Sequence, residues 1–156
     1  MSRSIPPQHI LVIDDDSSVQ NTLRLVLTFE RNTVELAING REALEKLDKH
    51  KFDVVFTDLK MQGMLGDALV RAIKKDYPQQ VVLMVTAYGD VLSPLQKLSI
   101  PVDSLISKPF SIRTLRNALR RAHELNENSQ KAATSPPLAD PAAVSGVIGK
   151  KKAAHF

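Results

Sequence analysis

Down to about Leu125 the chain alternates short apolar runs with segments whose apolar residues recur at helical spacing, five times over. Ile10-Leu11-Val12-Ile13 is the first run, and the cluster from Asp14 to Ser18 both stops it and offers helix caps. Val19, Leu23, Val26 and Leu27 then share one side of a helix expected over 18–30. Val34, Leu36 and Ala37-Ile38 nearly alternate with polar residues, as a strand buried on one face does. Asn39-Gly40 breaks the chain before a short helix marked by Ala43, Leu44 and Leu47. Phe52 to Phe56 with Thr57 is the next run. Gly63 and Gly66 read as a flexible loop, and Leu69, Ala72 and Ile73 mark a helix that Tyr77-Pro78 ends. Val81 to Val85 is continuously apolar and mostly β-branched, which implies burial on both faces. A weaker helix is expected over 91–98, with Pro94 tolerable only in its first turn. Leu105-Ile106 is a short strand, and Ile112, Leu115, Leu119 and Ala122 form the buried stripe of a last helix.

Strands that alternate with helices imply an α/β fold whose parallel sheet is covered on both faces. With 156 residues the chain is too short for an eight-fold barrel, so an open doubly wound sheet is expected. The continuous runs belong in its middle and the weaker or alternating ones at its edges. Other classes drop out on composition. The absence of cysteine excludes disulfides, zinc-thiolate sites, iron–sulfur clusters and a thiol nucleophile. Apolar runs of four to five residues cannot span a bilayer, so no membrane partner is expected. Three acids directly follow the first apolar run, unlike a secretory signal, and the expected location is cytoplasmic. The pI near 9.4 hints at nucleic acid, but the excess charge is thinly spread. Residues 1–125 hold 17 basic and 15 acidic side chains, and residues 126–156 hold 4 and 2. Direct nucleic-acid binding, which needs a concentrated basic face, is not expected.

Ligands of an open α/β sheet bind outside the carboxyl ends of its strands, where strand order reverses. The polar residues that follow each apolar run therefore matter. Asp14, Asp15 and Asp16 follow the first, Asp58 the third, Thr86 ends the fourth, and Lys108-Pro109 follows the fifth. Asp16 and Ser17 read most simply as caps of the next helix. Asp14 and Asp15 exceed what capping needs, and facing Asp58 they repel one another unless a cation lies between them. A few carboxylates open to water and phosphate suit Mg²⁺ better than zinc or iron. A carboxylate is also a competent nucleophile toward an activated phosphoryl group, and a metal with a lysine and a hydroxyl supplies the charge neutralisation such a transfer needs. The set fits transfer of phosphate onto an aspartate.

ILVIDDD, VVFTDLKM, VVLMVTAYGD and ISKPF, in this order and at these separations, resemble the receiver domain of two-component response regulators. The resemblance implies a flavodoxin-like, five-stranded parallel sheet of order 2-1-3-4-5 with five helices. It also implies a phosphoprotein phosphorylated on Asp58 with Mg²⁺ bound directly by Asp15. Asp14 would assist through the metal's water shell, and the main-chain carbonyl of Lys60 would complete the site. Thr86 would be the switch hydroxyl and Lys108 the phosphate-pairing lysine, with a cis Lys108–Pro109 peptide. A sensor histidine kinase or phosphotransfer protein would donate the phosphate. A downstream protein target or a second copy would bind the surface of the fourth and fifth helices. The expected organisation is an N-terminal extension over 1–8, a receiver over 9–124 and a disordered or loosely attached Ala/Ser/Pro/Lys tail over 125–156. That tail is too short and polar for the usual DNA-binding output, so a stand-alone receiver signalling through protein contacts is expected.

The chain departs from the family pattern in places. The loop after the acceptor reads Met61-Gln62-Gly63-Met64-Leu65-Gly66, without the usual proline and aspartate, and Leu105 stands where many members carry an aromatic switch residue. Two other readings compete. One is a phosphate-independent, receiver-like binding module, to which Leu105 lends support. The other is an aspartate-nucleophile phosphatase resembling the haloacid dehalogenases, built on Asp14-x-Asp16, Thr86 and Lys108; it would leave Asp58 unused and lacks a later acidic motif. No phosphate-binding glycine loop follows any strand, which argues against a nucleotide site. Arg113, Arg116 and Arg120 form a basic stripe opposite the apolar face of the last helix, readable as a partner site or as a solvated face. Lys60 and Tyr88 occupy positions that tune dephosphorylation in the family, and a bulky Tyr88 would shield an acyl phosphate from water. Slow self-hydrolysis is expected, so Tyr88→Ala should shorten the half-life of aspartyl phosphate followed by intact mass; an unchanged half-life contradicts the shielding role.

Overall fold

Side chains of a strand point alternately to the two sides of its sheet, so a parallel sheet with helices on both sides needs strands that are apolar throughout. The computed structural model, which describes residues 4–59, 66–87 and 100–134, has this arrangement. Strands β1 (His9–Ile13), β2 (Thr33–Ala37), β3 (Val54–Asp58), β4 (Val82–Thr86) and β5 (Ser104–Ser107) form one sheet of order β2-β1-β3-β4-β5, and every pairing is parallel. Among the described residues the helices are α1 (Ser17–Phe29), α2 (Gly40–Lys49), α3 (Gly66–Asp76) and α4 (Ile112–Thr134). The helix expected over 91–98 lies outside the described residues.

The alternation sorts the core into two layers. Ile10, Val12, Val54, Phe56, Leu83 and Val85 pack with Leu23 and Leu27 of α1 and with Leu115, Leu119 and Ala122 of α4. Leu11, Ile13, Val55, Val82 and Met84 pack on the other side with Ala43 and Leu47 of α2 and Leu69 and Ile73 of α3. Each central strand is thus divided residue by residue between the two layers, which is why its sequence shows no polar alternation. The outer strands β2 and β5 are only partly buried, as their weaker patterns led one to expect.

Several boundaries differ from the sequence expectation. Strand β3 begins at Val54 and includes Asp58, so the acid is the strand's last residue instead of the first after it. Asp16 alone is the N-cap of α1, accepting from Ser18 N–H at 2.8 Å, while Ser17 is already helical. The expected tail from Leu125 begins as helix: α4 continues to Thr134. Leu125 to Thr134 lack an apolar period but contain no glycine or proline, and the backbone ladder needs only permissive residues to continue. Within the N-terminal extension Gln8 is buried, its side-chain amide donating to Leu119 O at 3.2 Å and its N–H to Asn32 Oδ1 at 3.0 Å. No helix among the described residues is long and apolar enough to cross a membrane.

Gly66 corrects another expectation. Instead of belonging to a flexible loop it is the first residue of α3 and is buried, its N–H donating to Leu59 O at 2.8 Å. A Cβ placed there would stand 2.1 Å from Asp58 O and 2.8 Å from Leu59 Cα, both backbone atoms. Only glycine lets the helix start press against the end of β3. Gly66→Ala must displace one from the other, and urea unfolding is expected to show a loss of about 2 kcal/mol, within the usual cost of overpacking; an unchanged midpoint would mean that the approach is not required.

Candidate functional site

The sheet order reverses between β1 and β3: the chain leaves β1 for β2 on one side and returns to β3 on the other. Asp14 follows β1, Asp58 ends β3, Thr86 ends β4, and Lys108 follows β5. The ladder sets them abreast, since Ile13 pairs with Thr57, Asp58 with Val85, and Thr86 with Ser107. Register alone therefore gathers at one edge residues spread over almost the whole domain.

Asp14, Asp15 and Asp58 each offer a carboxylate oxygen, and these oxygens lie within 4.8 Å of one another. Lys108 Nζ reaches between two of them, 3.6 Å from Asp14 Oδ2 and 3.8 Å from Asp58 Oδ1. The Lys108 backbone is fixed by its own N–H, which donates to Thr86 O at 2.6 Å, and the Lys108–Pro109 peptide is cis. Thr86 is buried at the neighbouring strand end. Lys60, Met61 to Leu65 and Tyr88 lie outside the described residues.

The three acids occupy different environments. Asp15 is exposed, Asp58 is half-buried, and the Asp14 side chain is only 3% exposed. Asp14 Oδ1 accepts the Asp16 N–H at 2.9 Å, and Asp58 Oδ1 accepts the Leu59 N–H at 2.8 Å. Burial pushes the Asp14 carboxyl above its ordinary value of 3.8. The Asp16 N–H opposes that shift, the Asp58 charge reinforces it, and Lys108 and Asp15 add smaller effects of opposite sign. Among the described residues, Lys108 is shared by Asp14 and Asp58, and the three acids present closely spaced carboxylate oxygens. An oxygen-only donor set with waters completing the coordination fits a small hard cation such as Mg²⁺.

Other residues singled out in the sequence stand apart from this edge. Arg116 is committed to Glu30, with Nε at 3.1 Å and Nη2 at 2.7 Å from one carboxylate oxygen, so the basic stripe is in part a tie between α4 and α1. Arg113 and Arg120 are exposed. Leu105 is 36% exposed on β5. The residue that sequence reasoning missed is Gly66; the only available signal was a glycine placed directly before a helical stripe.

Comparison with known proteins agrees with this geometry. Residues 10–120 match the family model described as response regulator receiver domain. A probable transcriptional regulator ycf27 from Cyanidium caldarium is 33% identical over 124 residues, covering 76% of this chain and 49% of that protein. The chain spans about half or less of the length of the curated relatives it matches. A crystal structure of a response regulator receiver domain protein from Clostridium thermocellum superposes with a TM-score of 0.71 at 29% identity, covering 76% of this chain and 96% of that one. The response regulator TrrA from Thermotoga maritima, solved in complex with Mg²⁺-BeF, gives 0.67 at 28% identity, covering 74% and 98%.

The buried Asp14 carboxylate generates a prediction with a definite sign. Its folded pKa lies above the unfolded value near 3.8, so ionisation disfavours the folded state at every pH above that value. Without divalent cations near neutral pH, Asp14→Asn should unfold at a higher temperature than wild type, and the gain should fade as pH falls toward 3.8. Added Mg²⁺ should raise the wild-type midpoint more than that of the variant. Thermal scans over that pH range, with and without Mg²⁺, check both points; a variant less stable at neutral pH would contradict the assignment.

Proposed function

The chain belongs to the response-regulator receiver family, and from that membership we propose that it accepts a phosphoryl group on Asp58 in a Mg²⁺-dependent reaction. The observation that carries this reading is the set of three carboxylates and one lysine gathered where the sheet order reverses. The donor is the phosphohistidine of a sensor histidine kinase or phosphotransfer protein. A carboxylate oxygen of Asp58 forms a bond to phosphorus as the phosphorus–nitrogen bond breaks. The electron pair leaves with the imidazole, which takes up a proton from solvent, and Asp58 becomes an acyl phosphate. Lys108, already within 4 Å of Asp58 Oδ1, pairs with the phosphoryl oxygens, and the Thr86 hydroxyl donates a further hydrogen bond to them. Asp14, Asp15 and Asp58, with the main-chain carbonyl of Lys60, would hold Mg²⁺. Bound there, the ion supplies positive charge opposite the phosphoryl oxygens.

Once Asp58 is phosphorylated, Lys108 exchanges a carboxylate partner for a phosphoryl group, and its backbone ties it to the end of β4. That exchange alters the protein contacts made near β4 and β5 and passes the signal to a downstream protein target or a second copy. The phosphate-independent module remains a second reading, because the exposed Leu105 replaces the aromatic half of the usual switch.

Incubation with Mg²⁺ and a small acyl phosphate, followed by intact mass, separates the two. Wild type should gain one labile phosphoryl group and Asp58→Ala none, with the gain abolished by a chelator. Lys108→Ala should slow the transfer by at least ten-fold, as expected for loss of a charge held against the transferring group. No gain in wild type would favour the phosphate-independent module.

A further inference from the structure

The Ala37 carbonyl, at the carboxyl end of β2, accepts two hydrogen bonds: from Asp14 N–H at 3.1 Å and from the side chain of Gln20, whose Nε2 lies 2.6 Å away. Gln20 sits in α1 among residues that face the core, and it is 4% exposed. Buried amides persist where their hydrogen bonds are made, and here the partner identifies the donor end of the amide. Two further bonds complete the pattern. Asp16 N–H donates to Asp14 Oδ1 at 2.9 Å, and Gln20 N–H donates to Asp16 O at 3.0 Å. Ala37, Asp14, Asp16 and Gln20 are thereby joined in a closed hydrogen-bonded circuit, and the acidic turn lies inside it.

We propose that Gln20 is a positioning residue: by closing this circuit it holds Asp14 and Asp15 at the spacing from Asp58 that a divalent cation requires. The inference rests on the reading of the three acids as a Mg²⁺ site. Three like charges spread apart unless the backbone carrying them is restrained. The Asp14 N–H holds the strand side of the turn to β2, but the bond to its carboxylate oxygen comes from Asp16 within the turn and moves with it. Gln20 is the member of the circuit that ties the turn's helical side back to a neighbouring strand. Removing its donor leaves the Ala37 carbonyl paired with Asp14 N–H, so the fold keeps its accounts of backbone hydrogen bonds while the turn gains freedom. Partners that orient metal ligands characteristically affect affinity by ten-fold or more.

The test compares the wild-type chain with Gln20→Met, which fills similar volume without a donor, and Gln20→His, whose neutral imidazole can direct an Nε2–H to the same carbonyl. Mg²⁺ is titrated at about pH 8, where that imidazole is uncharged, with affinity read from amide chemical shifts of Asp14, Asp15, Ala37 and Asp58. Thermal midpoints are measured without Mg²⁺. Gln20→Met should bind Mg²⁺ roughly ten-fold more weakly with a midpoint within a few degrees of wild type, and Gln20→His should recover most of the affinity. Wild-type affinity in Gln20→Met overturns the positioning role, and so does an equal loss in both variants. Should Gln20→Met fail to fold, Gln20→His decides alone: near-wild-type affinity supports the role and a ten-fold loss overturns it. Absence of Mg²⁺ binding by the wild type overturns the underlying reading of the site instead.

Discussion

A parallel sheet sandwiched between helices has no face left for water, and this burial requirement organises the rest of the molecule. Ile10 and Val12 go to one layer, Leu11 and Ile13 to the other, and the same division repeats in β3 and β4. Because every strand runs the same way, all carboxyl ends emerge at one edge. Polar chemistry excluded from both faces can collect there, beside the point where the order reverses. The apolar interior and the acidic edge are two consequences of one topology.

Crowding at that edge sets its electrostatics. A buried carboxylate beside two others is an electrostatically costly arrangement, and Lys108 lies within 4 Å of two of the three. The fold supports the arrangement with backbone donors: Asp16 N–H to Asp14, Leu59 N–H to Asp58, and the tie from Lys108 N–H to Thr86 O. Such directed hydrogen bonds hold charged groups in place without neutralising them. Gly66 serves the same edge sterically, since the start of α3 can approach the end of β3 only where no side chain intervenes.

The strand–helix alternation, the two-sided burial of the central strands and the residues of the acidic edge were legible because each leaves a local mark. Val81 to Val85 shows its burial as an unbroken apolar run, and Asp14, Asp15, Asp58, Thr86 and Lys108 each sit where an apolar run ends. Gln20 and Gly66 leave no such mark. Glutamine on a helix reads as surface, and glycine before a helix reads as a flexible joint, until the partner that each meets is known. The end of α4 is hidden for a related reason: the apolar period stops near Leu125, yet residues without proline or glycine carry the helix to Thr134.

By itself, then, the sequence determined the fold class, the strands that lie at the centre, and the acids, hydroxyl and lysine that collect at one edge, because hydrophobic burial writes itself into residue order with a short period. Distances of 3.6 and 3.8 Å between Lys108 and its carboxylates were decided by tertiary structure, as were the burial that raises the pKa of Asp14, the close approach at Gly66 and the circuit closed by Gln20. Each of these depends on strand register and helix placement, which bring together residues remote in the chain. No local pattern encodes such contacts, because their partners are chosen by the packing of whole elements.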